Sequence, residues 1–324
     1  MKIAFTSCFD AEDDLVQVVW DRIAEQGPDV LLLLGDSIYM DFGIKLLGAD
    51  RPLGRPRKFS LEKFAAVMHG LYARQWGVAS FQRLVRSGLR LGMTWDDHDF
   101  AWNNSRGAGQ QDDFAVPQEK RRISRGLFLQ FRHALETLAS GSPYPACPPL
   151  PELLAQPDAG IQSLFDVGEV RFIMLDGRSF RQDPSHTDPP ISSMHGASQM
   201  TWLIDQLKAW PGIKVVGAGS VMSGADEAWE AYMDYARILD EAPNRVIVLT
   251  GDIHHNRRPR DRRPLGAHLY EITASGAARP GLFDRNPRFL GASGNFGLLV
   301  VEHGQVEARL FEAGGYSGTW RLDF

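Results

Sequence analysis

The chain has 324 residues, of which 44% are hydrophobic and 23% are charged, as in ordinary globular proteins. Its 35 Lys and Arg against 40 Asp and Glu give a net charge of -5, which argues against a nucleic-acid coat protein or a polybasic membrane binder. The 2 Cys residues exclude a disulfide framework. No apolar run approaches the roughly 20 residues of a membrane span. Because no signal-peptide pattern is present, we expect a cytoplasmic protein.

Alternating strand and helix patterns predict an α/β fold. The first 35 residues suggest a strand over 2–6, a helix over 13–25 from its apolar spacing, and a fully buried strand over 30–34. The other predicted elements follow in chain order: an irregular segment over 42–59, helices over 61–75 and 79–86, a strand over 89–94, a helix over 117–138, a loop over 142–157, strands over 162–167 and 170–175, a helix over 199–207, a strand over 213–217, a helix over 225–239, a strand over 246–250, and two strands between 296 and 311. No linker divides the chain, so one domain over 1–324 is expected.

Residues that commonly bind metals follow four of the predicted strands. In open α/β sheets, ligands bind at the carboxyl ends of strands. The four segments are, in chain order, 7–8 with Cys8, 35–39 with Asp36 and Tyr39, 96–99 with the sequence Asp-Asp-His-Asp, and 251–255 with Asp252 and His254. We therefore expect these side chains to meet at one edge of the fold.

Each segment alone also has a structural explanation. Cys8 could be a small buried side chain, and Asp36 could be a turn or cap residue. The segment 96–99 could be a solvated acidic turn, and the segment 251–255 could be a turn at a strand end with a hydrogen-bonded histidine. Together they favour a metal site, because Asp96, Asp97 and Asp99 repel one another unless a cation, an arginine or a proton intervenes. A thiolate and a phenolate favour iron or zinc, whereas the carboxylates suit a second cation such as calcium. A carboxylate can span two metals, and Asp36 is the natural candidate.

The four segments resemble the PhoD-like alkaline phosphatase/phosphodiesterase family, within the calcineurin-like metallophosphoesterases. That superfamily has the motifs G-D-x-x-D, G-N-H-[D/E] and G-H-x-H, where this chain has GDSIY at 35–39, DDHD at 96–99 and GDIH at 251–254. The departures at Tyr39, Asp97 and Asp252 match the PhoD-like branch. Cys8 stands where that branch has its thiolate ligand. The order of all four motifs makes the resemblance specific.

The resemblance implies a fold, a chemistry and a set of residue roles. The fold would be a four-layer αββα sandwich of two mixed sheets flanked by helices, without the N-terminal accessory domain of secreted members. The chemistry would be metal-dependent hydrolysis of a small phosphate ester. The implied roles are Cys8, Asp36, Tyr39 and His254 for the more charged metal, given as Fe³⁺, then Asp36, Asp97 and Asp252 for Ca²⁺ (with Zn²⁺, Mn²⁺ or Mg²⁺ as alternatives), and His98 as general acid oriented by Asp99.

Several polar residues near these motifs are candidates for substrate binding. Asn103 and Asn104 could donate hydrogen bonds to a phosphate, or could order their loop. Arg178 could bind phosphate oxygens. The same holds for Arg257 and Arg258, in an arginine-rich tract after His255 whose alternative is a solvated basic loop.

Two other functions remain open on the same residues. A phosphodiesterase or nuclease would use the same ligands, and nucleic acid would then enter only as a diester substrate. A non-catalytic module that binds phosphorylated partners is the alternative outside enzymology. The intact His98 and the full set of ligand types favour an enzyme.

Overall fold

Two β-sheets with helices on both outer faces make up the part of the chain that this computed structural model describes, namely residues 1–12, 14–42, 51–137, 139, 141–225, 227–263, 266–279 and 294–324. The strands are β1 Lys2–Thr6, β2 Val30–Leu34, β3 Arg90–Thr94, β4 Ser163–Val167, β5 Val170–Met174, β6 Ile213–Gly217, β7 Val246–Thr250, β8 Arg257–Asp261, β9 Leu269–Thr273, β10 Phe296–Glu302, β11 Gln305–Glu312 and β12 Gly315–Leu322. The α-helices are α1 Val19–Glu25, α2 Leu61–Trp76, α3 Ala79–Val85, α4 Asp97–Phe100, α5 Gln118–Thr137, α6 Leu150–Leu154, α7 Ala197–Ala209 and α8 Met233–Glu241. Within these described ranges, no helix combines the length and the apolar character that crossing a bilayer requires.

Both sheets are mixed. The first has the strand order β12-β11-β10-β1-β2-β3, in which β1, β2 and β3 are parallel and β10 is antiparallel to β1. The second has the order β4-β5-β6-β7-β9-β8, in which the four central strands are parallel and the two edge strands are antiparallel to their neighbours. The carboxyl ends of the parallel strands therefore collect loops at one edge of each sheet.

Each sheet buries side chains on both of its faces, and this produces the layers of the fold. The inner faces of the two sheets share one apolar core, in which Leu32 of β2 and Leu249 of β7 are fully buried. The outer face of the first sheet packs on α2 and α5 through residues such as Leu33 and Phe64. The outer face of the second sheet packs on α7, where Leu203 is fully buried. The predicted αββα sandwich is confirmed.

The helix predicted over 13–25 is confirmed only from Val19 onward, and residue 13 lies outside the described residues. The Asp14 Oδ1 atom accepts hydrogen bonds from the backbone N–H groups of Val16 at 2.8 Å and Gln17 at 3.0 Å. Such a local turn competes with helix formation. Gln17 also has a left-handed φ of 43°, which a helix cannot accommodate. The helical spacing of apolar residues is correct from Val19 onward, but the turn at Asp14–Gln17 makes α1 begin later than predicted.

Two further predictions of helix and loop were partly wrong. The predicted loop over 142–157 contains the short helix α6, in which proline lies in the first turn, where it costs no hydrogen bond. The single helix predicted over 225–239 is instead a 3₁₀ turn at Trp229–Ala231 followed by α8, and residue 226 lies outside the described residues. Of the irregular segment predicted over 42–59, residues 43–50 lie outside the description and Arg55–Lys58 form a 3₁₀ turn.

The strands β8, β9 and β12 were not predicted. β8 has the sequence RRPRD, which carries no apolar alternation, and it is tolerated because it is an edge strand of the second sheet. β12 is the edge strand of the first sheet and is mostly exposed. β8 and β12 bury few side chains, so their sequences carry a weak signal. β9 is a central strand with the sequence LYEIT, in which the buried Glu271 interrupts the apolar pattern.

Close packing at the carboxyl edge depends on two glycines. A Cβ atom at Gly35 would lie 2.7 Å from the Asp96 Cβ, and the φ of +94° at Gly35 also disfavours any other residue. A Cβ atom at Gly251 would lie 2.5 Å from the Ser7 Oγ and 2.9 Å from the Leu34 carbonyl oxygen. The loops that follow β1, β2, β3 and β7 can therefore touch one another.

The fully buried His195 makes the stability of the fold sensitive to acid. Its ring lies 4.4 Å from that of Trp229, and neither ring nitrogen has a hydrogen-bond partner among the described residues. Burial lowers the pKa of His195 from 6.5 to about 4; Arg181 lowers it further, and Asp234 opposes the shift. A folded pKa below the unfolded one means that this stability is complete above about pH 6.5 and is lost as the pH falls towards 4.

We expect His195→Leu to reduce the acid sensitivity of folding. The wild type should lose on the order of 3 kcal/mol of unfolding free energy through this group between about pH 7 and about pH 4, and the variant should not. Urea unfolding at a series of pH values measures the difference. Parallel pH curves for the two proteins would contradict the prediction.

Candidate metal centre

The predicted ligands sit in unusual backbone conformations. Cys8, Asp36, Asp252 and His254 all have left-handed φ angles, of 60°, 50°, 71° and 58°. Non-glycine residues rarely adopt this region, and such strain concentrates at functional sites. These four are half of the eight non-glycine residues with positive φ among those described. The tight turns after β1, β2 and β7 aim the four side chains at a common point.

One group of donor atoms forms around Cys8. Its Sγ atom lies 3.5 Å from the Asp36 Oδ2, and ligand atoms of Cys8, Asp36 and His254 all lie within 4.8 Å of one another. The Tyr39 hydroxyl lies 3.3 Å from the Asp36 Oδ2 and 3.2 Å from the His254 Nε2. The structure thus brings together a thiol, a carboxylate, a phenol and an imidazole.

A second group consists of carboxylates. Oxygens of Asp36, Asp96, Asp97 and Asp252 lie within 4.8 Å of one another. Asp36 belongs to both groups. Asp96 was not predicted as a ligand; its Oδ1 accepts a hydrogen bond from the Arg178 Nε at 2.6 Å, while its buried Oδ2 has no hydrogen-bond partner among the described residues.

The acidic groups carry the electrostatic signature of a cation site. Burial and the neighbouring carboxylates raise the pKa of Asp252 to about 7 and raise that of Asp36 well above its usual value. Burial raises the pKa of the Cys8 thiol to about 11. At Asp97 burial acts in the same direction, but His98 and Arg178 outweigh it and lower the pKa to about 2. These groups cannot all be ionised together unless positive charge is added between them.

His98 lies in the first turn of α4, beside the shared carboxylate. Its backbone N–H donates to the Asp97 Oδ1 at 3.0 Å and to the Asp36 Oδ1 at 3.3 Å. Burial lowers the pKa of its ring, but Asp97, the hydrogen bond to Asp41 and the Asp36 charge raise the pKa to about 10. The hydrogen bond to Asp41 favours the protonated form of the ring.

The carboxylate that orients His98 is Asp41, and not the predicted Asp99. The His98 Nδ1 lies 3.0 Å from the Asp41 Oδ1, which also accepts a hydrogen bond from the Asn103 backbone N–H at 3.0 Å. Asp99 instead accepts hydrogen bonds from the Ser37 N–H at 3.0 Å and the Tyr72 hydroxyl at 3.3 Å. Its side chain therefore ties the loop after β2 to α4 and α2.

The two predicted asparagines lie beside this centre. The backbone N–H of Asn104 donates to the Asp97 Oδ2 at 2.6 Å, as that of Asn103 does to Asp41. Both side chains are half-buried, and within the described parts of the chain their amide groups make no hydrogen bond. The backbone of this turn therefore orders the acidic residues, while its amide side chains remain available.

The predicted arginines are placed differently from the asparagines. Arg178 is buried and forms ion pairs with Asp96 at 2.6 Å and Glu227 at 2.5 Å, so its expected phosphate contact is replaced by a structural one. Arg257, on the edge strand β8, donates to the Ser223 carbonyl at 2.6 Å. Arg258 is exposed on the same strand.

Arg279 also contributes to the candidate metal centre, although its sequence context gave no signal of this. The Arg279 carbonyl lies 3.0 Å from the His254 Nδ1, which leaves the Nε2 facing Tyr39. The Arg279 guanidinium lies over the Tyr39 ring at 4.6 Å and over the Phe42 ring at 3.5 Å. Arg279 therefore fixes the His254 tautomer and places positive charge against the phenol. It follows β9 in the sequence Ala-Ala-Arg, which resembles no motif.

The comparison with the solved structure of PhoD agrees with this fold. The solved structure of PhoD is similar to this chain with a TM-score of 0.69 and 17% identity, covering 100% of this chain and 71% of that one. TT1561 of Thermus thermophilus has a TM-score of 0.39 and 11% identity, covering 99% of each chain. Vps29 from Entamoeba histolytica has a TM-score of 0.35 and 13% identity, covering 100% of this chain and 99% of that one. At 17% identity, the likeness to PhoD shows the fold alone.

Comparison of the sequence with family models identifies the family as well as the fold. No curated protein matches the chain. The family model of the PhoD-like phosphatases matches residues 3–260, which include every motif from Cys8 to His254. The chain therefore belongs to the PhoD-like phosphatase family.

Proposed function

We propose that this protein hydrolyses phosphate esters with a water activated by at least two cations. The observation that carries the proposal is the position of Asp36, whose carboxylate belongs both to the Cys8 group and to the carboxylate group. Membership of the PhoD-like phosphatase family supports phosphoester hydrolysis. The proposal also covers the identity of the metals, the role of each residue, and the choice between monoester and diester substrates. It further assumes that residues 1–324 form a single domain.

The donor set fits a pair of different cations. Cys8, Asp36, Tyr39 and His254 would hold the more charged ion, because a thiolate and a phenolate suit Fe³⁺ better than Mg²⁺ or Ca²⁺. Asp36, Asp97 and Asp252 would hold a second ion such as Ca²⁺, for which Zn²⁺, Mn²⁺ or Mg²⁺ are alternatives. A carboxylate oxygen of Asp96 also lies within reach of that group. When bound, such cations lower the pKa of water and neutralise phosphoryl oxygens.

The chain's own residues would supply the proton and the positioning. His98, held through its Nδ1 by Asp41, would donate its other ring proton to the leaving oxygen. The side-chain amides of Asn103 and Asn104 would donate hydrogen bonds to a phosphate. Positioning and charge are most of what phosphoryl transfer requires. No serine or cysteine nucleophile is needed, so no covalent intermediate is expected.

A first test concerns Cys8. If its thiolate and the Tyr39 phenolate bind Fe³⁺, the purified protein should be coloured by charge transfer from ligand to metal. Cys8→Ser should remove or shift the absorption band and lower the iron content measured by elemental analysis. A colourless wild type that is fully active with zinc alone would remove the iron assignment and leave the site itself intact.

A second test concerns Asp41, the residue that replaces Asp99 as partner of His98. Asp41→Asn should lower kcat roughly 10- to 100-fold, because the His98 ring loses the carboxylate that fixes its orientation and stabilises its charge. Metal content should stay at the wild-type level. Steady-state kinetics with elemental analysis measures both, and an unchanged kcat would refute the orienting role.

The choice between the three candidate activities rests on one assay. Nitrophenyl phosphate and bis-nitrophenyl phosphate should be offered to the metal-loaded protein under the same conditions. We expect hydrolysis of the monoester. Faster hydrolysis of the diester would favour the phosphodiesterase alternative, with nucleic acid as one diester substrate class. Binding of phosphate without hydrolysis of either compound would favour a non-catalytic module.

A further inference from the structure

A basic groove opens between the two sheet edges formed by β8 and β12. Its volume is about 700 Å³, within the range of small-molecule sites. The residues that line it are Arg257, Arg258, Pro259, Arg260, Asp261, Arg262, Glu271, Thr273 and Trp320. We call it the β8 groove. None of the proposed metal ligands lines it.

Both carboxylates of the β8 groove are already engaged. Glu271 forms a buried ion pair with Arg262 and accepts a hydrogen bond from the Met222 backbone N–H at 2.6 Å. Asp261 is hydrogen-bonded to His268. Neither acid forms an ion pair with Arg258 or Arg260 in the part of the chain that the structure describes.

Two arginines remain uncompensated. Arg258 and Arg260 are exposed, and neither forms an ion pair or a side-chain hydrogen bond with any part of the chain that the structure describes. Two guanidinium groups on one wall of a concave surface raise the local concentration of anions. Their planar donor pattern matches a phosphate group.

The strand register gives the distance from the metal centre. Arg257 pairs with Thr273, and Arg260 pairs with Glu271. Two residues after Thr273 is Ser275, whose Oγ lies 3.3 Å from the Cys8 Sγ. At about 3.3 Å per residue, the β9 positions that pair with Arg257 and Arg260 lie roughly 7 and 13 Å along the strand from Ser275.

A side-chain hydrogen bond joins the two sheets between the β8 groove and the metal centre in the chain order. The Asn256 side-chain amide donates to the Phe311 carbonyl at 2.7 Å and so joins the two sheets at the end near the metals. Asn256 lies between His254 of the metal centre and Arg257 of the groove in the chain. Because the groove and the centre share no lining residue, a ligand that reached both would need a linker between its two anionic groups.

We infer that the β8 groove binds a second phosphate group of the substrate, roughly 10 Å from the ester that is cleaved. This inference rests on the proposed function and names the class of substrate. The substrate is an extended molecule with at least two phosphates, one at the metals and one at Arg258 and Arg260. The second phosphate adds binding energy remote from the reacting bond.

Alkanediol bisphosphates of increasing chain length test the inference. Each is compared with the alkyl monophosphate of the same carbon number, and the readout is the ratio of the two kcat/KM values. In the wild type this ratio should rise to roughly tenfold once the linker spans about 10 Å. In Arg258→Gln/Arg260→Gln it should fall at every length to about two, the statistical value for a molecule with two equivalent phosphates. The matched control is Arg90→Gln. Arg90 is an exposed arginine on β3, the edge strand of the first sheet that lies opposite β12, and this variant should keep the wild-type ratio.

The outcomes separate the two proposals. If the metal-loaded protein does not hydrolyse even the monophosphates, the proposed function fails. If it hydrolyses them but shows no advantage for the long bisphosphates, or if the double variant keeps that advantage, the β8 groove assignment fails. An advantage that is equal at all linker lengths would indicate general attraction of anions and would also overturn it.

Discussion

His98→Ala should lose far more activity on alkyl phosphates than on nitrophenyl phosphates, while it keeps the wild-type metal content. An alkoxide is a strong base and needs a proton as it leaves, whereas a nitrophenolate leaves almost unaided. Loss of a general acid costs on the order of 10²–10⁴ in rate, and the alkyl ester should show the upper part of that range. The measurement is kcat/KM on both ester types, with elemental analysis of the same preparation.

The metal analysis decides between two roles for His98. A ring atom of His98 lies within 4.8 Å of ligand atoms of Asp36 and Asp97, so the geometry also permits ligation. Loss of a metal from His98→Ala would make it a ligand. An equal loss of activity on both esters, with the metals retained, would mean that the ring binds the phosphoryl group and does not protonate the leaving oxygen.

Asp36→Asn should remove both cations and lower activity at least about a hundredfold. A carboxylate shared by two cations cannot lose its charge without weakening the binding of both. The matched variants are Asp97→Asn, which should mainly deplete the second ion, and His254→Ala, which should mainly deplete the ion near Cys8. Elemental analysis of the three proteins gives the pattern. If each variant lost a single metal to the same extent, the bridging role of Asp36 would be refuted.

The buried strands and the clustering of acidic and histidine side chains at their ends were predictable, because both leave strong local signals. β2 is a run of five buried apolar residues, and Gly35-Asp36 follows it directly. β7 is also fully buried, with four apolar residues followed by Thr250, and Gly251-Asp252 comes directly after it. Parallel strands bring their carboxyl ends to one edge, so the sequence order of the motifs already implied that they meet.

The supporting contacts could not be predicted, because they join residues that are far apart in the chain. Asp41 meets His98 across 57 positions, and Arg178 meets Asp96 across 82. Nothing in the sequence near Asp41 distinguishes it from a loop aspartate. Arg178 was expected at the substrate because arginine suits phosphate, but burial between carboxylates gives it a structural partner instead. β8 was missed because an edge strand needs no apolar pattern.

Metal content and activity, followed together through removal and return of the cations, test the central claim most directly. The purified protein is assayed on nitrophenyl phosphate and by elemental analysis before chelation, after chelation, and after iron and calcium are added back. The proposed function predicts at least two cations per chain, loss of activity with their removal, and recovery of activity only when both groups of ligands are filled again. Full activity in a preparation that contains less than one cation per chain would contradict it.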